Sequence, residues 1–429
     1  MTAVIGILNK SGIALAADSA VTISGGNGRK IYNNAYKIFT LSKYHPVSVM
    51  LYNSATFMSV PWEILIKEYR KYIGTKCFDT LQEYQDDFIK FLKVNIRYVD
   101  KEEQTQTLHS FFDFVFKKVI EDVTRENVEI IEKERTLKKK KKIISDKLKI
   151  KVSEIINNHK NDKPLNDFKN YKFDTFKTKY SEVLNKFYKN YYSELSLSNQ
   201  LKIKLFKIIY HFIISEYFLG NWTGLVFAGF GEKEIYPSCL PLKVGEVFEN
   251  KIRYSIDKKN IAIIGKNNSA AIRPFAQRDV IDTILSGIDS NLENTLYNSF
   301  EAFLVQFVSL LLNEVKEIED VKNKIEKINI TNIIKEFAKN FQSTKQNKHI
   351  RPLMSSISTL SKEDLAELAE SLIYLTYLKR RMSFSEESVG GPIDVAIITK
   401  GDGFVWIKRK HYFNKELNQD FIYKYLKEL

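Results

Sequence analysis

The sequence predicts an α+β fold in which antiparallel sheets are interrupted by two large helical insertions. Two patterns carry that reading. Short apolar runs at residues 4–8 and 13–17 flank Asn9-Lys-Ser-Gly12, a tight-turn sequence. Both runs are too apolar for a solvent-facing hairpin and read as strands of a sheet covered on both faces. Glycine then divides the chain. None occurs between Gly74 and Gly220 or between Gly287 and Gly390, so all 17 lie in or beside the segments that read as strands and turns. The two gaps hold one proline each, Pro164 and Pro352, and their Leu, Ile and Phe recur at spacings of three and four, the period of a helix. With 429 residues the chain exceeds one average domain, and what remains outside the gaps is about one domain's worth.

After the opening pair, a third strand is expected at 37–41 and a fourth at 47–52. The small-residue turn Asn53-Ser-Ala55 follows, then a helix over 56–72 and an outer helix over 78–99. Strands at 224–236, 246–255 and 261–265 and a helix over 272–285 form a middle block. Ser361-Lys-Glu-Asp364 has the form of a capping box, a hydroxyl acceptor with an acid three residues on, and starts a helix over 362–382. The closing block is Val389-Gly-Gly-Pro-Ile-Asp-Val-Ala-Ile-Ile-Thr-Lys-Gly-Asp-Gly-Phe-Val-Trp. The expected organisation is a core in three pieces, 2–99, 220–290 and 360–429, with helical insertions at 100–219 and 291–359.

The most informative single residue is Thr2. Removal of Met1 leaves an α-amine and a hydroxyl on neighbouring carbons of one residue, so the amine can take the proton from its own Oγ. An α-amine titrates near pH ~7.7–8.0, which leaves a useful fraction neutral and basic. The residues preceding and following Thr2 lack the charged start and apolar core of a signal peptide, so Thr2 is expected at the mature terminus.

Thr2 followed by the strand Gly12-Ile-Ala-Leu-Ala-Ala-Asp-Ser19, the strand Lys37-Ile-Phe-Thr-Leu41, a small-residue turn before a helix, and the Gly390-Gly391 block resembles the proteasome β-subunit family. The bacterial ATP-dependent protease peptidase subunit is a close relative of that family. These are N-terminal-nucleophile (Ntn) hydrolases, and the resemblance implies a four-layer αββα sandwich. It covers the core at both ends and in the middle, and does not extend to the insertions. It implies that Thr2 is the nucleophile and that Asp18, at the family's spacing from Thr2, holds a lysine beside it. Lys37 opens its strand as the family's lysine does. Lys30 is the alternative, because the connection from Asp18 is lengthened by Ser24-Gly-Gly-Asn-Gly28. A lysine cation there would disfavour a second positive charge on the amine and keep it basic.

Asn53 and Ser54 occupy the turn where the family places two glycines whose N–H groups form the oxyanion hole. Backbone donors do not depend on side-chain type, but a side chain here narrows the approach of a substrate backbone. Counting back from Gly390, Glu386 aligns with the acid that supports the threonine amine, and Ser388 could share that role. Ser269, after Gly265-Lys-Asn-Asn, matches the family's serine-containing loop.

The expected activity is hydrolysis of amide bonds, with a peptide or protein as substrate by resemblance. A small-molecule amide and a non-catalytic scaffold stand as alternatives. Family members form rings served by an ATP-driven unfoldase, which raises a homo-oligomer and an ATP-dependent partner as expectations. Net charge is +14, with a run of five lysines from Lys138 to Lys142. That run reads either as a solvated helix face or as attraction to an acidic or nucleic-acid partner. Two cysteines, Cys77 and Cys239, make no disulfide framework and fit a reducing cytoplasm. The apolar run at 302–312 is interrupted by Gln306 and Ser309 and is too short to span a bilayer, so no membrane role is expected. His109, His159, His211, His349 and His411 are scattered, and no glycine-rich phosphate loop is present. Neither a metal nor a cofactor is expected.

Overall fold

Strand β1 (Val4–Asn9) turns through Lys10 and Ser11 into β2 (Gly12–Ala17), pairing Val4 with Ala17 and Asn9 with Gly12. Every residue of both strands is buried. Asn9, the polar member, donates from Nδ2 to the carbonyls of Ile357 (3.0 Å) and Leu360 (2.9 Å) and accepts from the Ser11 N–H at 2.8 Å. Its polar atoms are thereby satisfied inside the core. A hairpin of β3 (Val21–Gly25) and β4 (Gly28–Tyr32) precedes β5 (Ile38–Thr40) and β6 (Val47–Asn53). The chain is described here from a computed structural model, which covers residues 2–25, 28–218, 222–314, 329–383, 389–414, 416–420 and 422–423, with 321, 325 and 327.

A two-residue pairing, β7 (Thr56–Phe57) with β8 (Val60–Pro61), leads into helices α1 (Trp62–Ile73) and α2 (Leu81–Val94). A helical cluster follows: α3 (Lys101–Glu126), α4 (Val128–Lys133), α5 (Leu137–Asn158), α6 (Phe173–Tyr192) and α7 (Asn199–Ile214). Strands β9 (Thr223–Gly229), β10 (Ser238–Phe248), β11 (Lys251–Ile256), β12 (Ala262–Ile263) and β13 (Ala270–Ala276) come next. Helices α8 (Asp279–Ser286), α9 (Ser290–Glu314), α10 (Ile330–Lys345), α11 (Arg351–Ile357) and α12 (Lys362–Met382) precede the last strands, β14 (Asp394–Thr399) and β15 (Gly403–Lys408).

The architecture is α+β with two antiparallel sheets. One has the order β13-β1-β2-β14-β15, the other β11-β10-β9-β6-β5 with β12 on β10. Leu8, Ile13 and Leu15 of the first sheet share a core with Met50, Val226 and Ala228 of the second. The outer face of the second sheet packs Val49, Leu225 and Phe227 against Trp62 and Tyr69 of α1 and Phe88 of α2. The outer face of the first packs Ile5, Ala14 and Ile397 against Leu365, Ala369 and Ile373 of α12. Helices α3 to α7 enclose a separate core that includes Phe112, Phe116, Phe176 and Leu184, joined by Phe248 at the end of β10.

Arg253 of β11 ties that helical cluster to the second sheet. Its side chain is fully buried and ion-paired to Glu246 at 2.9 Å. It also donates to the carbonyls of Ile213 (2.8 Å), Phe212 (2.7 Å), Ser215 (3.2 Å) and Tyr217 (2.6 Å). The last carbonyls of a helix have no partner within it, and the guanidinium supplies donors for those at the end of α7.

Four expectations change. Residues 56–61 form β7 and β8, so the helix starts at Trp62, just after Pro61. Residues 272–276 belong to β13, because Ile272, Arg273 and Pro274 pair with Ile7, Gly6 and Ile5 of β1. An apolar run suits strand or helix equally, and cross-strand pairing decides. Pro274 is accommodated because β13 is an edge strand, which leaves one side of its backbone outside the ladder. Strand β10 begins at Ser238, well before 246; Pro241 argues locally against a strand, yet pairs with Val226. The capping box at Ser361 and Asp364 forms as expected. Helix α9 extends the apolar run at 302–312 in the N-terminal direction through Leu292, Leu296 and Phe300. By length and composition it is able to cross a membrane, contrary to the expectation from the run alone.

Candidate active site

Residues from both sheets meet at one end of the molecule. In the first sheet this end holds the start of β1, the end of β2, the end of β13 and the start of β14, since Val4 pairs with Ala17 and Ala276, and Asp394 with Ala17. In the second sheet it holds the start of β5 and the end of β6, because the Leu51 N–H donates to the Lys37 carbonyl at 2.8 Å.

Thr2 lies here and is buried, as are Asp18 and Lys37. The Ala3 N–H donates to Asp18 Oδ1 at 2.8 Å, and the Asp18 N–H donates back to the Ala3 carbonyl at 3.1 Å. Asp18 is therefore clamped to the residue next to Thr2 by two bonds. Lys37 Nζ donates to the same Oδ1 at 2.6 Å and to the Ala20 carbonyl at 2.6 Å. Asp18 Oδ2 accepts from the N–H groups of Ala20 and Gly390, each at 3.1 Å. One carboxylate thus receives three backbone donors and an ammonium. Burial holds Lys37 below the ordinary lysine range, while the Asp18 charge and hydrogen bond pull it back up and Lys410 pushes it down.

The ion pair spans the two sheets, since Asp18 follows β2 and Lys37 precedes β5. Such a charge pair in a dry interior must be well paired or it costs several kcal/mol per ion. Lys30 sits elsewhere: it is exposed on β4, with its Nζ 5.1 Å from the centre of the Tyr32 ring.

Asn53 ends β6 in a left-handed conformation (φ 73°), which Asn tolerates better than most side chains. Its Nδ2 donates to the Trp222 carbonyl at 2.7 Å. The Ser54 hydroxyl donates to the Thr56 carbonyl at 3.1 Å, and the Ser54 carbonyl accepts from the Thr223 hydroxyl at 3.1 Å. This turn is two residues past Leu51, about 7 Å beyond the level of Lys37 at the usual rise per strand residue.

The sequence placed Ser269 in this site, and the structure removes it. Residue 269 precedes Ala270, which pairs with Asn9 at the far end of β1, roughly 20 Å from Thr2 by strand rise. The segment that does follow β13 at the Thr2 end is Gln277 (φ 53°) and Arg278. Reading 272–285 as one helix hid that strand end. Glu386 and Ser388 lie outside the described residues, so their roles are not placed.

A second ion pair beside the first, buried at Asp394 and half-buried at Lys410, was missed. Asp394, in the motif but not singled out, accepts from the Lys410 N–H at 2.9 Å and bonds the Lys410 ammonium. The Lys410 Nζ lies 4.6 Å from the centre of the Tyr36 ring. No local spacing signals Lys410; the hairpin of β14 and β15 brings it back. Tyr36 also lines a cleft of about 400 Å³ with Arg70, Trp406 and Arg409, but none of Thr2, Asp18 and Lys37 lines it.

Outside this end, the lysine run opens α5, where Lys141 pairs with Glu194 at 2.8 Å and Lys139 with Glu134 at 3.7 Å. Neither cysteine is in a disulfide. Cys77 is exposed; burial pushes the Cys239 thiol up to about 12, which makes it a poor nucleophile. The histidines are not all scattered: His159 and His211 converge on Asp162 in the helical cluster.

No protein-family model matches the chain, and no curated protein matches it in sequence. Among solved structures, the Anbu (Gly-1) mutant from Hyphomicrobium sp. strain MC1 is similar over 100% of this chain and 98% of its own, at TM-score 0.29 and 8% sequence identity. A likeness that distant carries no argument, and the site rests on the geometry of its own residues.

Proposed function

We propose that this chain is a threonine-type Ntn hydrolase of the proteasome β-like kind, cutting amide bonds through Thr2 once Met1 is removed. The observation that supports the reading is the buried Asp18–Lys37 pair bonded to Ala3, which holds a cation and a carboxylate next to the neighbour of the proposed nucleophile. Two sheets sharing one core, each backed by helices, are what a four-layer αββα sandwich requires.

In this mechanism the Thr2 amine takes the proton from Oγ as the oxygen attacks the substrate carbonyl carbon. Backbone donors at Asn53 and Ser54 receive the developing oxyanion. The C–N bond breaks as the amine's proton passes to the leaving nitrogen, leaving an ester on Thr2. Water, deprotonated by the same amine, then hydrolyses the ester. Lys37 disfavours protonation of that amine, and Asp18 holds both in place. Glu386, with Ser388 beside it, is the proposed support for the amine. A peptide is the proposed substrate, the cytoplasm the proposed setting and a homo-oligomer the proposed state.

The test is Thr2→Ala against Thr2→Ser, with N-terminal sequencing of each protein. Alanine is expected to lower hydrolysis by roughly 10³-fold or more, and serine, which keeps a hydroxyl, to retain part of it. A panel of peptides and small amides separates the two substrate classes. Unchanged turnover in Thr2→Ala, or a retained Met1 in active protein, overturns the proposal.

A further inference from the structure

We infer that His159, Asp162 and His211 form a binding site for a divalent transition-metal ion of the Zn²⁺ class, which staples the ends of α5 and α7. His159 immediately follows α5 as its C-cap, and Asp162 lies three residues on in the loop. His211 is in the last turn of α7. One ligand atom from each lies within 4.8 Å of the other two. Two imidazoles and a carboxylate are a donor set that suits this ion.

The separations fit with a small adjustment. Ligands at ~2.0–2.1 Å from a tetrahedral zinc stand roughly 3.3 Å apart. His211 Nε2 is 3.6 Å from Asp162 Oδ2, near that value, and His159 Nδ1 is 2.7 Å from the same oxygen. The second is a hydrogen-bond distance that the ion would open by about half an ångström. Rotation of the carboxylate, which is two-fifths exposed, supplies that movement.

A second observation points to a ligand. His211 Nε2 is buried and has no hydrogen-bond partner. A buried nitrogen left unsatisfied costs about 1–3 kcal/mol, so native structures seldom keep one without a reason. Phe212 and Tyr217 wall the His159 ring, at 5.3 and 5.4 Å between centres, and a cavity of about 250 Å³ opens beside both histidines. The fourth position is left for water. Lys160 and Lys207 line the same cavity and weaken cation binding, so a modest affinity follows.

The location gives the site its role. It joins α5 to α7 within a few residues of the carbonyls that Arg253 holds, so the ion would stiffen the link between helical cluster and second sheet. The proposal stands apart from the Thr2 site and survives its failure.

The test uses the full chain stripped with EDTA and titrated with ZnCl₂ in a calorimeter, then with Co²⁺ as a spectroscopic probe. One Zn²⁺ per chain is expected, with a raised Tm and a tetrahedral Co²⁺ spectrum that lacks a thiolate band. His211→Gln and His159→Gln should each lower affinity at least tenfold with unchanged circular dichroism. Absence of binding, a purely six-coordinate Co²⁺ spectrum, or equal affinity in the variants overturns the inference. The Co²⁺ spectrum of the native chain decides the matter even if a variant fails to fold.

Discussion

Asp18→Asn and Lys37→Met remove opposite halves of one buried pair, and the structure makes them unequal. Asparagine can still accept from Ala3 N–H, but its NH₂ then faces the N–H groups of Ala20 and Gly390, donor against donor. It also takes away the charge opposite the Lys37 ammonium, leaving it two neutral acceptors, the amide oxygen at the Oδ1 position and the Ala20 carbonyl at 2.6 Å. Breaking a buried pair from one side costs about 3–5 kcal/mol. The charge part has a ceiling: Lys37 can deprotonate, and at pH 7 that costs about 5 kcal/mol from the ordinary lysine value. Lys37→Met is milder. Asp18 keeps its three backbone donors, and about 1–3 kcal/mol is expected. The double variant removes the uncompensated cation, so it should be less destabilised than the sum of the singles by at least about 1 kcal/mol.

Urea unfolding followed by tryptophan fluorescence is the assay, because Trp62, Trp222 and Trp406 all pack against cores of the two sheets and none lies in α3 to α7. A shift in midpoint at constant slope measures the change. Should Lys37→Met prove as costly as Asp18→Asn, or the two effects simply add, the account of this pair is wrong.

Other consequences are as direct. Arg253→Met strands the Glu246 carboxylate and four carbonyls, and should cost about 3–5 kcal/mol. Burial already pushes Glu246 up, and without the guanidinium it rises further. A carboxyl raised above its unfolded value stabilises below that unfolded value and loses the contribution as pH climbs through the folded one. The Arg253→Met defect should therefore shrink at acid pH, and a defect independent of pH would contradict this. Burial pushes Tyr84 and Tyr191 up to about 12, the latter helped by Asp113, and raises Tyr52, Tyr69 and Tyr171 further. Their stabilisation is present below about pH 10 and lost above it. Tyrosinate absorbance should rise in two stages, the second coinciding with loss of circular dichroism; a single transition of all 23 near pH 10 with the fold intact would refute it. Gly224→Ala should destabilise by about 1–3 kcal/mol, since its Cβ would fall 1.9 Å from the Tyr52 ring. Unchanged thermal stability would count against that packing.

The sequence by itself determined the elements whose signals are local. β1 and β2 follow from apolar runs around a turn, and α12 from its capping box and period. Glycine-free stretches read as helix because a helix interior disfavours glycine, and α3 to α7 lie in one of them. Local pattern located the strand ends that carry Asp18 and Lys37, while the idea that Asp18 holds a lysine came from the family resemblance and left Lys30 open as the partner. Tertiary structure alone decided what depends on pairing across the chain. It turned 272–276 into β13, moved Ser269 to the far end of the sheet, chose Lys37 over Lys30 as the partner of Asp18, and brought Lys410 to Asp394. It also gathered His159, Asp162 and His211 from two helix ends. A strand end or helix end is set by neighbouring residues, whereas which ends meet is set by sheet order and the burial it allows, and no local window contains that information.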